Sequence, residues 1–252
     1  MNPDFSSAAL DHLIVMADTL AQGVAWCEAT LGVTPAPGGE HALFGTHNRL
    51  LAVASPAWPL AYLEIIAVNP DAAPTRRRWF GMDEAALQEA VRTHGPRLTH
   101  WVARVPDLAA AAAAWAAQGL DVGDILAASR MTPRGLLQWQ IAVRADGRRL
   151  LDGCAPTLIE WGAVHPAVSL PASGVTLQGL RLAHPRAAAL QGALAAAGVP
   201  GVVVEAGAAA AICAQLQTPR GLVEIDSGFK PNRLLAPANQ ARAAIYPRAN
   251  DA

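Results

Sequence analysis

The chain has 252 residues, 52% of them hydrophobic and 15% charged. That is enough for one large domain or two ordinary ones with a packed core. A formal net charge of −1 gives no electrostatic case for nucleic acid or an anionic membrane surface. Three cysteines, Cys27, Cys154 and Cys213, are widely spaced and form no CxxC pair, which points to a reduced, cytoplasmic setting. The N-terminus has no basic region followed by an apolar run, so no secretory signal is expected. The alanine-rich tract at 109–117 is too short to cross a bilayer.

Taken in order, residues 10–16 alternate like a strand, with Leu10, His12, Ile14 and Met16 on one face. Asp18 and Thr19 can cap a helix over 20–31, and Gly32 ends it. Residues 35–39 read as a loop, 40–44 and 46–54 as strands, and 62–68 as a fourth strand after a turn at Pro56 and Pro59. This β-α-β-β-β unit spans 8–70. A connector, 71–97, carries the basic run of Arg76, Arg77 and Arg78, the pair Trp79 and Phe80, and a short helix over 82–93. The same order returns over 98–166, with a helix at 107–118 and strands at 125–130, 136–144 and 158–162. A third, shorter unit of that order covers 174–228 and repeats the turn TPRG of 132–135 at 218–221. Residues 229–252, rich in Ala, Pro, Asn and Arg, are expected to form a loosely ordered tail.

The units repeat in sequence as well as in order. AYLEIIAVNP at 61–70 lies without a gap over TLIEWGAVHP at 157–166, setting Glu160 on Glu64. LDHLIVMADTLAQ at 10–22 lies over LTHWVARVPDLAA at 98–110, setting His100 on His12. In the third unit Gly179 takes the histidine position, while Glu224 keeps the acid. A carboxylate in an apolar strand is costly unless something pairs with it. Two such acids in matched frames, each with a histidine on the first strand, point to a cleft that uses them.

Modules of this kind resemble the vicinal oxygen chelate superfamily. The segments DHLIVMA, GTHN at 45–48, YLEIIAVNP and RRRWFG are similar to glyoxalase-like domain proteins, over about residues 10–228. The resemblance implies an α+β fold of the glyoxalase/bleomycin resistance/dihydroxybiphenyl dioxygenase type, in which paired βαβββ modules curl into open-barrel sheets. It places His12, Glu64, His100 and Glu160 in the cleft as ligands of a divalent Zn, Ni, Mn, Co or Fe ion, with Glu64 or Glu160 also serving as catalytic base. The chemistry implied is that of a lyase, isomerase or dioxygenase acting on a small metabolite with vicinal oxygens. The superfamily also contains metal-free drug-binding proteins, so a sequestering protein is the alternative. The fold as a dimerisation scaffold is a third reading, and a homodimer stays open.

Strand parity extends the candidate set. Arg104 shares the face of His100. Leu137, Trp139, Ile141 and Val143 form an apolar face suited to packing under the helix, which leaves Gln138 and Gln140 on the opposite face, either lining the cleft beside Asn48 of GTHN as substrate-binding groups or facing solvent. A plainer reading makes each histidine–glutamate pair a satisfied polar couple across neighbouring strands. Trp79 and Phe80 are expected to plug one end of the cleft, and His41, His94, His165 and His184 are given no role. No GxSxG, GxxxxGK[ST] or HExxH motif occurs.

Overall fold

The computed structural model describes residues 6–132 and 135–228, together with the backbone of Arg233–Leu234. The expected TPRG turn at 132–135 and the tail beyond 228 therefore fall largely outside the described residues. In chain order the elements are β1 (Ala9–Met16), α1 (Leu20–Leu31), β2 (Ala36–His41), β3 (Thr46–Ala52), β4 (Tyr62–Val68) and α2 (Ala85–His94). The second unit holds β5 (Arg97–Arg104), α3 (Leu108–Ala116), β6 (Asp124–Thr132), β7 (Gly135–Val143) and β8 (Thr157–Trp161). The third holds β9 (Thr176–His184), α4 (Ala187–Ala196), β10 (Val203–Ala206), β11 (Ala211–Thr218) and β12 (Gly221–Asp226), followed by β13 (Arg233–Leu234).

Local chemistry accounts for the ends of α1. The Thr19 side chain accepts from the Gln22 amide, and Gly32, at φ 77°, returns its N–H to Glu28. Gly23 lets the helix close on the sheet, because a Cβ there would run into the Ile65 side chain. The loop expected over 35–39 is instead the first half of β2. Asn48 Oδ1 takes the Gly39 amide at 2.7 Å and so stands in for a ladder bond where the β2–β3 register shifts.

The first two units form one eight-stranded sheet, in the order β2-β3-β4-β1-β5-β8-β7-β6. In each, the last strand runs parallel to the first (β4 with β1, β8 with β5), and the units meet at an antiparallel β1–β5 seam. The sheet curls into an open barrel. Residues of β3 and β7 line one small cavity, although five strand spacings in a flat sheet would hold them about 24 Å apart. At the rim Arg130 of β6 reaches Gly39 of β2, where a Cβ would overlap the guanidinium.

Each seam strand carries one extra residue. Leu10 opposes Ala103 and His12 opposes Val102, which leaves Asp11 as a bulge. Ile14 opposes His100 and Val15 opposes Leu98, which leaves Thr99 as its counterpart. The first bulge moves Leu10 from the face expected for it to the face of Leu13 and Val15.

The third unit keeps the element order but not the pairing. β9 lies between β10 and β11, and β12 stands one strand further out. This five-stranded sheet packs on the convex back of the seam. Leu177, Leu180, Leu182, Ile212 and Leu216 join Leu13, Val15, Leu63, Trp101 and Trp115 in one apolar cluster. Trp115 Nε1 donates to Ala193 of α4 at 2.7 Å. A second cluster, with Ile14, Ile66, Trp79, Phe80, Val102, Ile141 and Ile159, fills the concave side.

Candidate functional site

Two of the four expected ligands meet. On β1, the His12 Nδ1 proton goes to Asp11 Oδ1 at 2.6 Å, and His12 Nε2 lies 3.3 Å from Glu64 Oε2 on β4. Adjacent strand residues normally point to opposite faces; the bulge turns Asp11 towards its neighbour. Glu64 Oε1 accepts from Asn48 Nδ2 at 2.6 Å, which places Asn48 in the site, and His41 Nε2 stands 4.0 Å away. The Tyr62 ring stacks on His12, with centroids 4.4 Å apart. Asp11, His12 and Glu64 are all buried.

Asp11 is held from a second side. Its Oδ2 accepts from Trp161 Nε1 at 3.0 Å and from His165 Nε2 at 2.9 Å. The other His165 nitrogen accepts from the Ala167 amide, so Nε2 carries the proton. Burial raises the Asp11 carboxyl, but the His165 and His12 contacts outweigh that and leave it well below the usual carboxylate range. Burial works against a charged His12, yet hydrogen bonds and charge from Asp11 and Glu64 lift it to about 9. Glu64 is likewise pushed up by burial and brought below its ordinary value by His12, His41 and Asn48. His41 is desolvated and falls to about 4, so it stays neutral. The cleft floor is thus an imidazolium between two carboxylates.

The other two expected ligands lie elsewhere. His100 on β5 donates from Nδ1 to the Gly153 carbonyl at 3.0 Å. Its Nε2 faces Thr157, taking the amide at 3.2 Å and lying 3.0 Å from the hydroxyl. Burial first, and then the Arg149 charge, hold His100 down at about 3, so it is neutral. Glu160 Oε2 accepts the Leu108 amide at 2.7 Å and secures the first turn of α3 on the convex side. Among the described residues, no three His, Cys, Asp or Glu side chains are grouped to hold a metal ion.

Register explains the divergence. Ile14 pairs with Glu64 in the first unit, and its seam counterpart Val102 pairs with Thr157 in the second. The spatial counterpart of Glu64 is therefore Thr157, three residues before the position reached by gapless alignment. An odd offset reverses the face. For the same reason Leu137, Trp139 and Ile141 line the cleft, while Gln138 and Gln140 are exposed on the other side, the reverse of the expected arrangement. Arg104 is buried at the end of β5 and does not line the cavity.

Trp79 and Phe80 occupy the middle of the barrel. Phe44, Trp79 and Phe80 stack with centroids 4.0 and 4.8 Å apart, and Phe80 lies 5.3 Å from His100. Both Trp79 and Phe80 line the His12–Glu64 cavity and the space beside His100, so they partition the two. The inner cavity, of about 40 Å³, adjoins an outer groove of about 440 Å³. Arg130, Leu50, Leu137 and Pro166 line both, and among the described residues Arg130 makes no ion pair. Sequence reading missed Asp11, His41, His165, Trp161 and Arg130. The doublet Asp11-His12 was the available signal, since an acid beside a candidate histidine can orient it.

Residues 10–198 match the glyoxalase-like domain family. A solved hypothetical protein from Staphylococcus aureus is 13% identical, with TM-score 0.54, covering 81% of this chain and 87% of that one. Methylmalonyl-CoA epimerases from Streptomyces coelicolor and Mycobacterium tuberculosis are 14% and 16% identical, with TM-scores of 0.38 and 0.36. They cover 60% and 64% of this chain and 94% and 91% of their own. At these identities the first likeness speaks to the fold alone, and the epimerase overlaps are too partial to inform the chemistry. No curated protein matches the chain. With three quarters of its length matched, on a curled sheet of two βαβββ modules, the chain belongs to the glyoxalase-like domain family of the vicinal oxygen chelate superfamily.

Proposed function

We propose that the protein is an enzyme that binds a small oxygenated metabolite over the His12–Glu64 floor and moves a proton at a carbon next to a carbonyl. The observation that carries this reading is the buried Glu64 carboxylate facing an apolar, tryptophan-walled cavity, with a charged imidazole 3.3 Å away. A carbonyl accepting the His12 Nε2 proton would take away one of the contacts that hold Glu64 low. The carboxylate then becomes a stronger base as the oxygen that gains charge acquires its donor. Arg130 at the mouth suits a carboxylate on the same substrate. No step runs through a metal ion, because the donor set expected for one is not assembled: His100 has both nitrogens engaged and Glu160 caps a helix.

The cysteines offer no competing nucleophile, since burial pushes Cys27 and Cys154 up to about 12 and 11. Three free thiols accord with a cytoplasmic protein. Among the described residues no helix is long and apolar enough to cross a membrane. A second reading, metal-free sequestration of a flat ligand, is favoured by the aromatic walls Trp79, Trp139 and Trp161.

The two readings part in heavy water. A panel of 2-oxo and 2-hydroxy acids is incubated with the protein, and loss of the proton signal next to the carbonyl or carboxylate is followed by NMR. Exchange that disappears in Glu64→Gln supports the enzyme. Saturable binding without exchange supports sequestration. Exchange that survives Glu64→Gln removes Glu64 as the base.

A further inference from the structure

We propose a second small-molecule site, at the junction of the second and third units, that takes a phosphorylated ligand. A cavity of about 520 Å³ lies there, on the far side of the Trp79–Phe80 partition from Glu64. Four arginines line it: Arg144, Arg148 and Arg149 from the β7–β8 connection and Arg186 from the start of α4. The chain as a whole carries net charge −1, so this concentration of guanidinium groups is local. Against them stand two lining carboxylates, Glu84 and Asp152.

One of these two carboxylates is already engaged by a guanidinium. Glu84 pairs with Arg149 at 3.0 Å, and Arg144 pairs outside the cavity lining with Asp146 at 2.7 Å. Arg149 also donates to the Thr99 carbonyl, while its buried Nε has no hydrogen-bond partner among the described residues. Arg148 and Arg186 are exposed and make no ion pair among the described residues. Arg148 and Arg186 therefore stand against Asp152 alone in the lining, an excess of one positive charge presented by two guanidinium forks in no ion pair among the described residues, beside a third that is held in place. A phosphate, negatively charged near neutral pH and rich in acceptor oxygens, matches the sign of the charge and the fork geometry.

The backbone beneath them is strained. Leu151 (φ 46°, ψ 50°) and Asp152 (φ 54°, ψ 25°) precede Gly153 at φ 94°, three left-handed residues in a row. A leucine in that region is unfavourable and persists only where its surroundings over-determine it, a condition met most often at binding sites. The neighbouring contact ties the two units together: the buried His184 at the end of β9 lies 3.3 Å from Asp152 and accepts the Arg186 amide. This cavity therefore exists only because a third unit is present.

The test is calorimetric titration of the full chain with pyrophosphate at physiological salt. We expect saturable binding that Arg148→Ala/Arg186→Ala weakens about tenfold or more. Arg49→Ala/Arg92→Ala, which removes the same charge elsewhere, should bind like wild type. Glu64→Gln should also bind like wild type, so failure at one site is separable from failure at the other. Both cavity arginines are exposed, and an unchanged thermal midpoint in the double variant will show that it is folded. Absence of saturable binding, unchanged affinity in Arg148→Ala/Arg186→Ala, or equal weakening in the distant charge control would each overturn the proposal.

Discussion

The two halves of the barrel present the same backbone with opposite electrostatics. In the first unit the seam histidine sits between a bulge aspartate and a last-strand glutamate, as Asp11, His12 and Glu64. In the second, the same three places hold Thr99, His100 and Thr157. With two carboxylates around it the first imidazole stands at about 9; with two threonines in their places and the Arg149 charge nearby, the second stands at about 3. Burial is common to both, so the difference lies in the partners. A buried histidine in this fold is a charged group or a plain hydrogen-bonding strut according to the charges placed around it.

The largest effect expected on this contrast comes from the bulges. Asp11→Ala strands donors on His12, Trp161 and His165 and should cost about 3–5 kcal/mol. Thr99→Ala, its counterpart, should cost about 1 kcal/mol or less. Denaturant unfolding measures both, and equal losses would mean that the two bulges are alike after all.

Next is pH. The raised His12 contributes stability that is complete below about pH 6.5 and is lost as pH climbs through about 9, on the order of 3 kcal/mol at most. His41 and His100 act in the other sense. Their depressed values leave stability intact above about 6.5 and remove it as pH falls towards 4 and then 3. Thermal midpoints across this range should therefore decline on both sides of near-neutral pH. In Glu64→Gln the alkaline decline should weaken and the acid decline persist.

Exchanging the partners sharpens the comparison. Glu64→Thr should lower His12 by more than a unit and cost about 1–3 kcal/mol, while Thr157→Glu should raise His100 from about 3. NMR titration of the imidazole carbon-bound protons reads each shift, and a His100 that does not move would separate Thr157 from Glu64. The smallest effect is at Glu160. Glu160→Ala should cost about 1 kcal/mol through the lost contact at the start of α3, with no change in ligand binding at the cleft. Loss of binding there equal to that of Glu64→Gln would restore Glu160 to the site.

Helix α1, from its Thr19 cap to Gly32, and the β-α-β-β-β order of all three units are legible in sequence because caps, glycines and periodicity are local. The pairing of His12 with Glu64 is legible through the repeat. What escapes is parity. Glu160 aligns with Glu64 by letter, but ladder register depends on loop lengths and bulges that leave no mark on the strand itself. Asp11 escapes for the same reason: strict alternation sends it to the core face, and only the extra residue in the seam brings it round. His41 and His165 come from strand and loop ends, where sequence has no period to place them. The third unit misleads differently, since equal element order hides a different strand order.

The seam registers are symmetric: His12 faces Val102 as His100 faces Ile14. A barrel closed by two identical chains about such a dyad must carry every site twice, because any substitution appears in both halves. Here both halves belong to one chain, joined through residues 69–96, and that obligation is gone. One half can keep its carboxylates while the other gives up the same positions to threonine and spends its end of the barrel on arginine. A single covalent chain thus lets two equivalent places in the barrel hold unlike sites, with Trp79 and Phe80, drawn from the joining segment itself, as the wall between them.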